Sequence, residues 1–112
     1  MIESYTFGRM EVNGHTYTSD LILYPDKVQD SWWRETGHRL SLKDIEDVLK
    51  EEPEVIIIGT GFTGLMKVEE EVKQYAQDNR IILVIKNTKK AVQNFNEIAT
   101  KKKTVGAFHL TC

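Results

Sequence analysis

The sequence predicts a single α/β domain, and two observations support that prediction. From residue 41 onwards, apolar runs of strand length alternate with amphipathic helical patterns in the order α-β-α-β-α-β. The strands read as continuous apolar runs, which is typical of a parallel sheet covered by helices on both faces. The 112 residues contain no repeat, linker or low-complexity segment, so we expect one domain over residues 1–112.

The first quarter of the chain has a β pattern. Apolar and polar residues alternate over 10–17 around Asn13-Gly14, a dipeptide that accepts the positive φ angles of a type I′ turn. A further strand is predicted over 20–24, ended by Pro25-Asp26, and residues 28–39 follow no regular pattern. The hairpin is expected either to extend the main sheet or to pack as a second layer.

The first helix is predicted to begin after Ser41, because Asp44 completes the spacing of a capping box, and Pro53 prevents its continuation. Residues 55–58 follow as a buried strand. A second helix is predicted after Gly64. Its apolar residues at helical spacing are Leu65, Val68, Val72, Tyr75 and Ala76.

The last third of the chain repeats the strand and helix alternation. A strand is predicted over 81–85 and a final strand over 104–110. Between them lies a third helix. Its apolar face consists of Ala91, Val92, Phe95, Ile98 and Ala99.

The glycine loop, residues 59–64, is the first candidate site. It follows a buried strand with the G-x-G-x-x-G spacing of a dinucleotide site. Backbone N–H groups in such a loop at a helix N-terminus can bind an anion, and Lys86 at the end of the next strand can meet a phosphate. The candidate ligand-binding residues are Gly59, Thr60, Gly61, Phe62, Gly64 and Lys86.

Three features count against an NAD(P) site. The next strand ends in Lys86-Asn87 instead of the acidic residue that binds a ribose hydroxyl. A helix and a hairpin precede the unit, and too little chain remains for a substrate domain. No cofactor is expected. Three interpretations stay open, in decreasing order of preference: glycines that only form a tight turn, a loop that binds a small anion or polar ligand, and an NAD(P) site.

The tryptophan loop, residues 31–38, is the second candidate site. Two adjacent tryptophans followed by Arg34 and Glu35 are unusual in a loop, and aromatic and arginine side chains concentrate interaction energy at partner interfaces. Trp32, Trp33, Arg34 and Glu35 are therefore candidate partner-binding residues. Alternatively, one tryptophan anchors the loop in the core while Arg34 and Glu35 pair locally. The sequence leaves open which tryptophan is exposed.

His38, His109 and Cys112 are further polar candidates. A thiolate beside an imidazole is a nucleophile, but strand alternation places residues 109 and 112 on opposite faces. A structural or incidental use of these residues is favoured. No metal is expected, since His15, His38 and His109 lie in separate segments.

Composition limits the partner classes. A net charge of −2 and a pI near 5.9 argue against nucleic acid as the main partner. The single cysteine favours a reducing compartment. With no secretory pattern and no apolar run of membrane-spanning length, the expected location is the cytoplasm, and no membrane partner is expected.

Three segments, 31–38, 56–61 and 105–112, occur in an order and spacing that indicate a family. The chain resembles the small domain-of-unknown-function family of archaeal and bacterial hypothetical proteins. That family includes the adipogenesis-associated domain protein and, more distantly, a mitochondrial complex I assembly factor. The resemblance covers nearly the whole chain. It implies three layers, with a central mixed, mostly parallel sheet, helices and an added N-terminal β layer, and it allows a last strand antiparallel to its neighbours.

The favoured function is a non-enzymatic binding or assembly module with an unknown protein partner. The resemblance implies this, because family members with a known role act in protein assembly or regulation, and the sequence contains no complete catalytic set. The alternative is a small-molecule or anion-binding protein or enzyme. In that case amides of residues 60–64 hold the anion, Lys86 or Arg34 supplies counter-charge, and His109 carries a proton. A monomer or weak homo-oligomer is expected.

Overall fold

The centre of the computed structural model, which describes all residues 1–112, is a mixed five-stranded sheet. Its strands are β4 (Leu21–Leu23), β5 (Val28–Gln29), β7 (Val55–Thr60), β9 (Ile82–Lys86) and β10 (Thr104–His109). Their spatial order is β5-β4-β10-β7-β9. The three strands β10, β7 and β9 are parallel, as their continuous apolar runs predict.

The last strand, β10, lies in the middle of this sheet. It pairs parallel with β7 on one side and antiparallel with β4 on the other. The antiparallel arrangement that the family resemblance allows is therefore present on one side only. The parallel pairing places His109 opposite Thr60, at the edge where the parallel strands end.

The N-terminal strands form a separate antiparallel sheet, which settles the alternative left open by the sequence. Its strands are β1 (Ile2–Thr6), β2 (Arg9–Val12) and β3 (His15–Tyr17). The predicted turn is confirmed, with φ angles of 49° at Asn13 and 83° at Gly14. Apolar side chains of this sheet, including Met10, pack beside Phe95 and Phe108 as an added layer.

Two apolar clusters cover the two faces of the central sheet. Strand β7 shows the division, because Ile56 and Ile58 belong to one cluster while Val55 and Ile57 belong to the other. The N-terminal sheet and helix α3 (Thr88–Ile98) cover one face. Residues of helices α1 (Glu46–Lys50) and α2 (Glu70–Asp78) pack on the opposite face. The predicted three-layer α/β fold is confirmed.

The first helical segment begins where the sequence predicts. Ser41 and Asp44 form the capping box, ahead of a 3₁₀ turn over Leu42–Ile45 that continues into α1. Asn87 caps α3 by accepting a hydrogen bond from the Lys90 amide at 3.0 Å. None of the helices has the length and apolar character needed to cross a membrane.

The second helix begins later than predicted. Leu65 is half exposed, and Val68 lies in the short strand β8 (Lys67–Val68), which pairs parallel with β6 (Arg39–Leu40). The helix starts only at Glu70. Backbone pairing with residues 38–40 extends this segment, so the helical spacing of its apolar residues does not produce a helix there. The glycine loop therefore does not lead directly into a helix.

Candidate functional site

The tryptophan loop, the glycine loop and the C-terminal segment meet at the carboxyl edge of the parallel strands. Thr60 lies opposite His109 in the sheet, and Gly59 lies opposite Lys86. The guanidinium of Arg34 reaches His109 from the tryptophan loop. The parallel topology thus gathers most of the candidate residues at one edge, as expected for the ends of parallel strands.

A buried cluster of three side chains, Asp20, Arg34 and His109, joins these segments. Arg34 Nη1 donates to Asp20 Oδ2 at 2.8 Å, and His109 Nδ1 lies 2.7 Å from the same oxygen. The other carboxylate oxygen accepts the Leu110 amide at 2.7 Å. Arg34 Nη2 donates to the Gly37 carbonyl at 2.9 Å. One carboxylate therefore connects the tryptophan loop to the end of β10.

The geometry fixes the proton on His109. A contact of 2.7 Å between Nδ1 and a carboxylate oxygen requires Nδ1 to donate, so we assign a proton to Nδ1. The contact of 3.1 Å between Arg34 Nη2 and Nδ1 then joins two donors and is not a hydrogen bond. Nε2 is left as a buried nitrogen without a partner. The exposed His38 ring is 6.3 Å away, edge-on to the His109 ring.

Asp20 is the anion of the buried cluster. Burial acts to raise its pKa, but the hydrogen bonds from His109, the Leu110 amide and Arg34 act together against burial. They hold the pKa of Asp20 below its ordinary value of 3.8. The result is an ion pair between Asp20 and Arg34 that also fixes the orientation of the imidazole. Such a cluster is suited to holding a loop in one conformation.

The tryptophan loop alternates between buried and exposed side chains. Trp32 is buried, its indole Nε1 donates to the Asp44 carbonyl at 2.9 Å, and the guanidinium of Arg34 lies 4.7 Å from its ring. Trp33 is 76% exposed and Glu35 is also exposed. Trp32 and Arg34 are thus anchors within the protein. One tryptophan therefore anchors the loop, as the alternative interpretation expects, and Arg34 pairs with Asp20 and not with Glu35.

The glycine loop is closed by the protein's own C-terminal residues. The Phe62 amide donates to the Thr111 carbonyl at 2.6 Å, and the Leu65 amide donates to the Cys112 carbonyl at 3.1 Å. The Gly61 amide donates to the Thr88 hydroxyl at 2.8 Å. The Gly64 amide donates to the Gly61 carbonyl. Most amides of residues 60–64 therefore bind oxygen atoms of the chain itself.

Two glycines permit close packing, in line with the tight-turn interpretation. A Cβ atom at Gly59 would lie 2.9 Å from both the Phe108 ring and the Thr88 hydroxyl. At Gly61, where φ is +110°, a Cβ atom would collide with the backbone of the C-terminal residues. Lys86 is exposed and forms no ion pair, while its carbonyl accepts a hydrogen bond from the Thr60 hydroxyl at 3.0 Å.

Cys112 and His109 do not act as a pair in this structure. The Cys112 side chain is exposed, and its carbonyl accepts hydrogen bonds from the Thr63 hydroxyl and the Leu65 amide. The imidazole of His109 is instead held by Asp20. No group of three or more potential metal-ligating side chains is present.

Exposed aromatic side chains also lie at this edge. The rings of Phe7 and Phe62 are 5.8 Å apart in an edge-to-face arrangement, and each is more than half exposed. The Gly8 amide, next to Phe7, donates to the Leu110 carbonyl at 2.8 Å and so ties the N-terminal sheet to the C-terminal segment. The sequence did not indicate that Phe7 and Phe62 would meet.

Asp20 is the functional candidate that the sequence analysis missed. It is separated from His109 by 89 residues and directly precedes an apolar strand, so it resembles an ordinary strand-end residue. Its importance depends on the central position of β10 beside β4. Only the register of that antiparallel pair, with Phe108 opposite Leu21, brings the two residues together.

The architecture and the buried cluster define a three-layer α/β protein with a mixed central sheet and a polar connection at its carboxyl edge. The model of the family described as "Protein of unknown function (DUF498/DUF598)" matches residues 2–110, and the chain belongs to that family. The resemblance found in the sequence is therefore confirmed.

Solved structures of similar proteins have the same fold. A conserved hypothetical protein from Pyrococcus horikoshii is 26% identical, with a TM-score of 0.85 over 100% of this chain and 99% of its own. A Xanthomonas campestris protein is 21% identical, with a TM-score of 0.85 over 98% of this chain and 83% of its own. A Bordetella pertussis protein described as a Mth938-like domain is 15% identical, with a TM-score of 0.57 over 98% and 85%.

Proposed function

We propose that this protein is a non-enzymatic binding module that presents Trp33 and Glu35 to a protein partner. The observation that supports this most strongly is the exposure of Trp33, 76%, between the two buried residues Trp32 and Arg34. Tryptophan is among the residues enriched where the binding energy of an interface is concentrated. The exposed carboxylate of Glu35 adds charge selectivity beside it.

The buried cluster supports this proposal by limiting the motion of the loop. The Trp32 amide donates to the Asp20 carbonyl at 2.8 Å, and Arg34 binds the Asp20 carboxylate. The Glu35 amide donates to the Asp44 carboxylate at 3.2 Å. These bonds fix the backbone on both sides of Trp33. A preorganised loop loses less conformational entropy when it binds, so more of the contact energy remains as affinity.

The alternative, an anion-binding protein or enzyme at the glycine loop, has less support. Binding there would require the amides of Phe62 and Leu65 to exchange the carbonyls of Thr111 and Cys112 for a ligand. His109 Nε2 is buried and has no hydrogen-bond partner to receive or supply a proton. We therefore place the function at the tryptophan loop, in a cytoplasmic setting consistent with the single free cysteine.

The test is affinity capture from native cytoplasmic extract, with bound proteins quantified for wild type and variants. Trp33→Ala and Glu35→Lys should each reduce recovery of the same partner at least about tenfold, which matches the loss of a central interface contact. Ile82→Ala is the matched control, because Ile82 is a 50% exposed apolar residue on edge strand β9. A partner retained equally by Trp33→Ala and Ile82→Ala would contradict the proposal, as would recovery of no partner.

A further inference from the structure

A cavity of about 610 Å³ opens at the opposite end of the molecule, where β10 begins at Thr104. The N-terminal hairpin, the turn after β4 and the C-terminal end of α3 surround it. Its volume lies in the range of roughly 300–1,000 Å³ that is usual for small-molecule sites. None of the residues discussed for the tryptophan loop or the buried cluster lines it.

The lining of this cavity combines an apolar interior with a cationic rim. The floor is formed by the partly buried Val28 and by the edges of Leu23 and Phe95, whose side chains otherwise lie in the core beneath it. Three lysines stand on the rim, Lys27, Lys102 and Lys103, against a single carboxylate, that of Asp26. This local excess of positive charge occurs in a protein whose net charge is −2.

The ammonium groups of the rim lysines have no carboxylate partner, and the backbone amide of Lys103 donates to the Glu54 carboxylate at 2.9 Å. None of them forms an ion pair. The ammonium group of Lys27 lies 5.0 Å from the centre of the Tyr24 ring, and that of Lys103 donates to the Glu51 carbonyl. Lys102 is exposed and has no side-chain hydrogen bond. All three can therefore offer donors to an anion without breaking an existing salt bridge.

We propose that this cavity binds an organic carboxylate with an apolar body, such as a medium-chain fatty acid. The apolar body would occupy the space over Leu23, Val28 and Phe95, where it displaces water from apolar surface. The carboxylate would lie at the rim among Lys27, Lys102 and Lys103. Inorganic phosphate has no apolar body to occupy the interior. An organic cation would be repelled by the lysines at the rim.

The experiment is an NMR titration of the ¹⁵N-labelled full chain with decanoate, below the concentration at which it forms micelles. Saturable shifts are expected for amides at the cavity, including Ala99, Thr100 and Thr104. Decylamine and acetate are the matched probes, since one reverses the charge and the other removes the apolar body. Each should bind at least about tenfold more weakly than decanoate if charge and apolar surface both contribute.

Charge-reversal variants test the rim directly. The double variant Lys27→Glu/Lys102→Glu should weaken decanoate binding at least about tenfold. The control Lys89→Glu/Lys101→Glu changes the net charge equally at exposed lysines outside the cavity, and it should bind like wild type. The proposal is overturned if decanoate causes no saturable shifts at the cavity. It is also overturned if the two double variants bind alike, or if decylamine or acetate binds as tightly as decanoate.

Discussion

Replacing Arg34 by methionine tests whether the buried cluster holds the tryptophan loop on the sheet. Methionine fills much of the apolar volume but cannot donate to Asp20 or to the Gly37 carbonyl, which accept at 2.8 and 2.9 Å. Removing one partner of a buried ion pair costs about 3–5 kcal/mol. The lower end of this energy range applies to Arg34→Met, because Asp20 keeps its contacts of 2.7 Å with His109 and with the Leu110 amide.

We therefore expect Arg34→Met to lower the free energy of unfolding by about 3 kcal/mol. For a domain of this size, roughly 4 °C of melting temperature corresponds to 1 kcal/mol, so the melting temperature should fall by roughly 12 °C. The assay is urea unfolding followed by circular dichroism, with tryptophan fluorescence as a second probe of the loop.

Arg39→Met is the matched control for this substitution. Its Nη1 lies 3.6 Å from the Glu69 carboxylate, and its side chain is 62% exposed, so the loss should stay below about 1 kcal/mol. Equal losses in the two variants, or a loss below about 1 kcal/mol for Arg34→Met, would refute the view that the buried cluster holds the loop.

Three further predictions concern the same edge of the sheet. Gly61→Ala should lower the free energy of unfolding by at least about 2 kcal/mol, since φ is +110° and the new Cβ would lie 2.8 Å from the Thr111 carbonyl oxygen. Thermal unfolding should show this loss. The control is Gly37→Ala, whose Cβ would contact no atom within 4 Å, and its free energy of unfolding should stay within about 0.5 kcal/mol of wild type. The pKa of Asp20 is lower in the folded protein than its ordinary value of 3.8. The resulting stabilisation is fully present above pH 3.8 and is lost as the pH falls below 3.8. The difference in unfolding free energy between wild type and Asp20→Asn should therefore shrink as the pH is lowered from 6 to 3, and a constant difference would contradict this. Burial, reinforced by the charge of Asp20, raises the pKa of Tyr5 to about 12, so its contribution to stability is complete below pH 10 and is lost between pH 10 and about 12. Absorbance at 295 nm should show a component near pH 12 that Tyr5→Phe removes, and its persistence in that variant would show the assignment to be wrong.

The sequence was sufficient where local chemistry and periodicity agreed. Asn13-Gly14 specified a hairpin turn, the Ser41–Asp44 pair specified a helix start, and continuous apolar strands specified a parallel sheet. The start of α2 could not be obtained in this way. Leu65 and Val68 have helical spacing, but pairing of β8 with β6 determines their conformation, and that pairing is a tertiary contact.

The candidate site was less accessible to sequence reasoning. Alternation along an extended loop indicates that Trp32 and Trp33 point in opposite directions, but not which one is buried. That choice depends on the Asp44 carbonyl and the Arg34 guanidinium, which contact Trp32. The partner of Arg34, Asp20, is distant in sequence and has no motif around it.

Backbone ¹⁵N relaxation of the tryptophan loop, in wild type and Arg34→Met, tests the central claim most directly. We predict order parameters near 0.85 for the amides of Trp33, Glu35 and Gly37 in wild type, the value typical of rigid backbone. In Arg34→Met the same amides should fall below about 0.6, while those of β7 remain unchanged. Values already below about 0.6 in wild type, or rigid amides in both proteins, would contradict the claim that the buried cluster preorganises this loop.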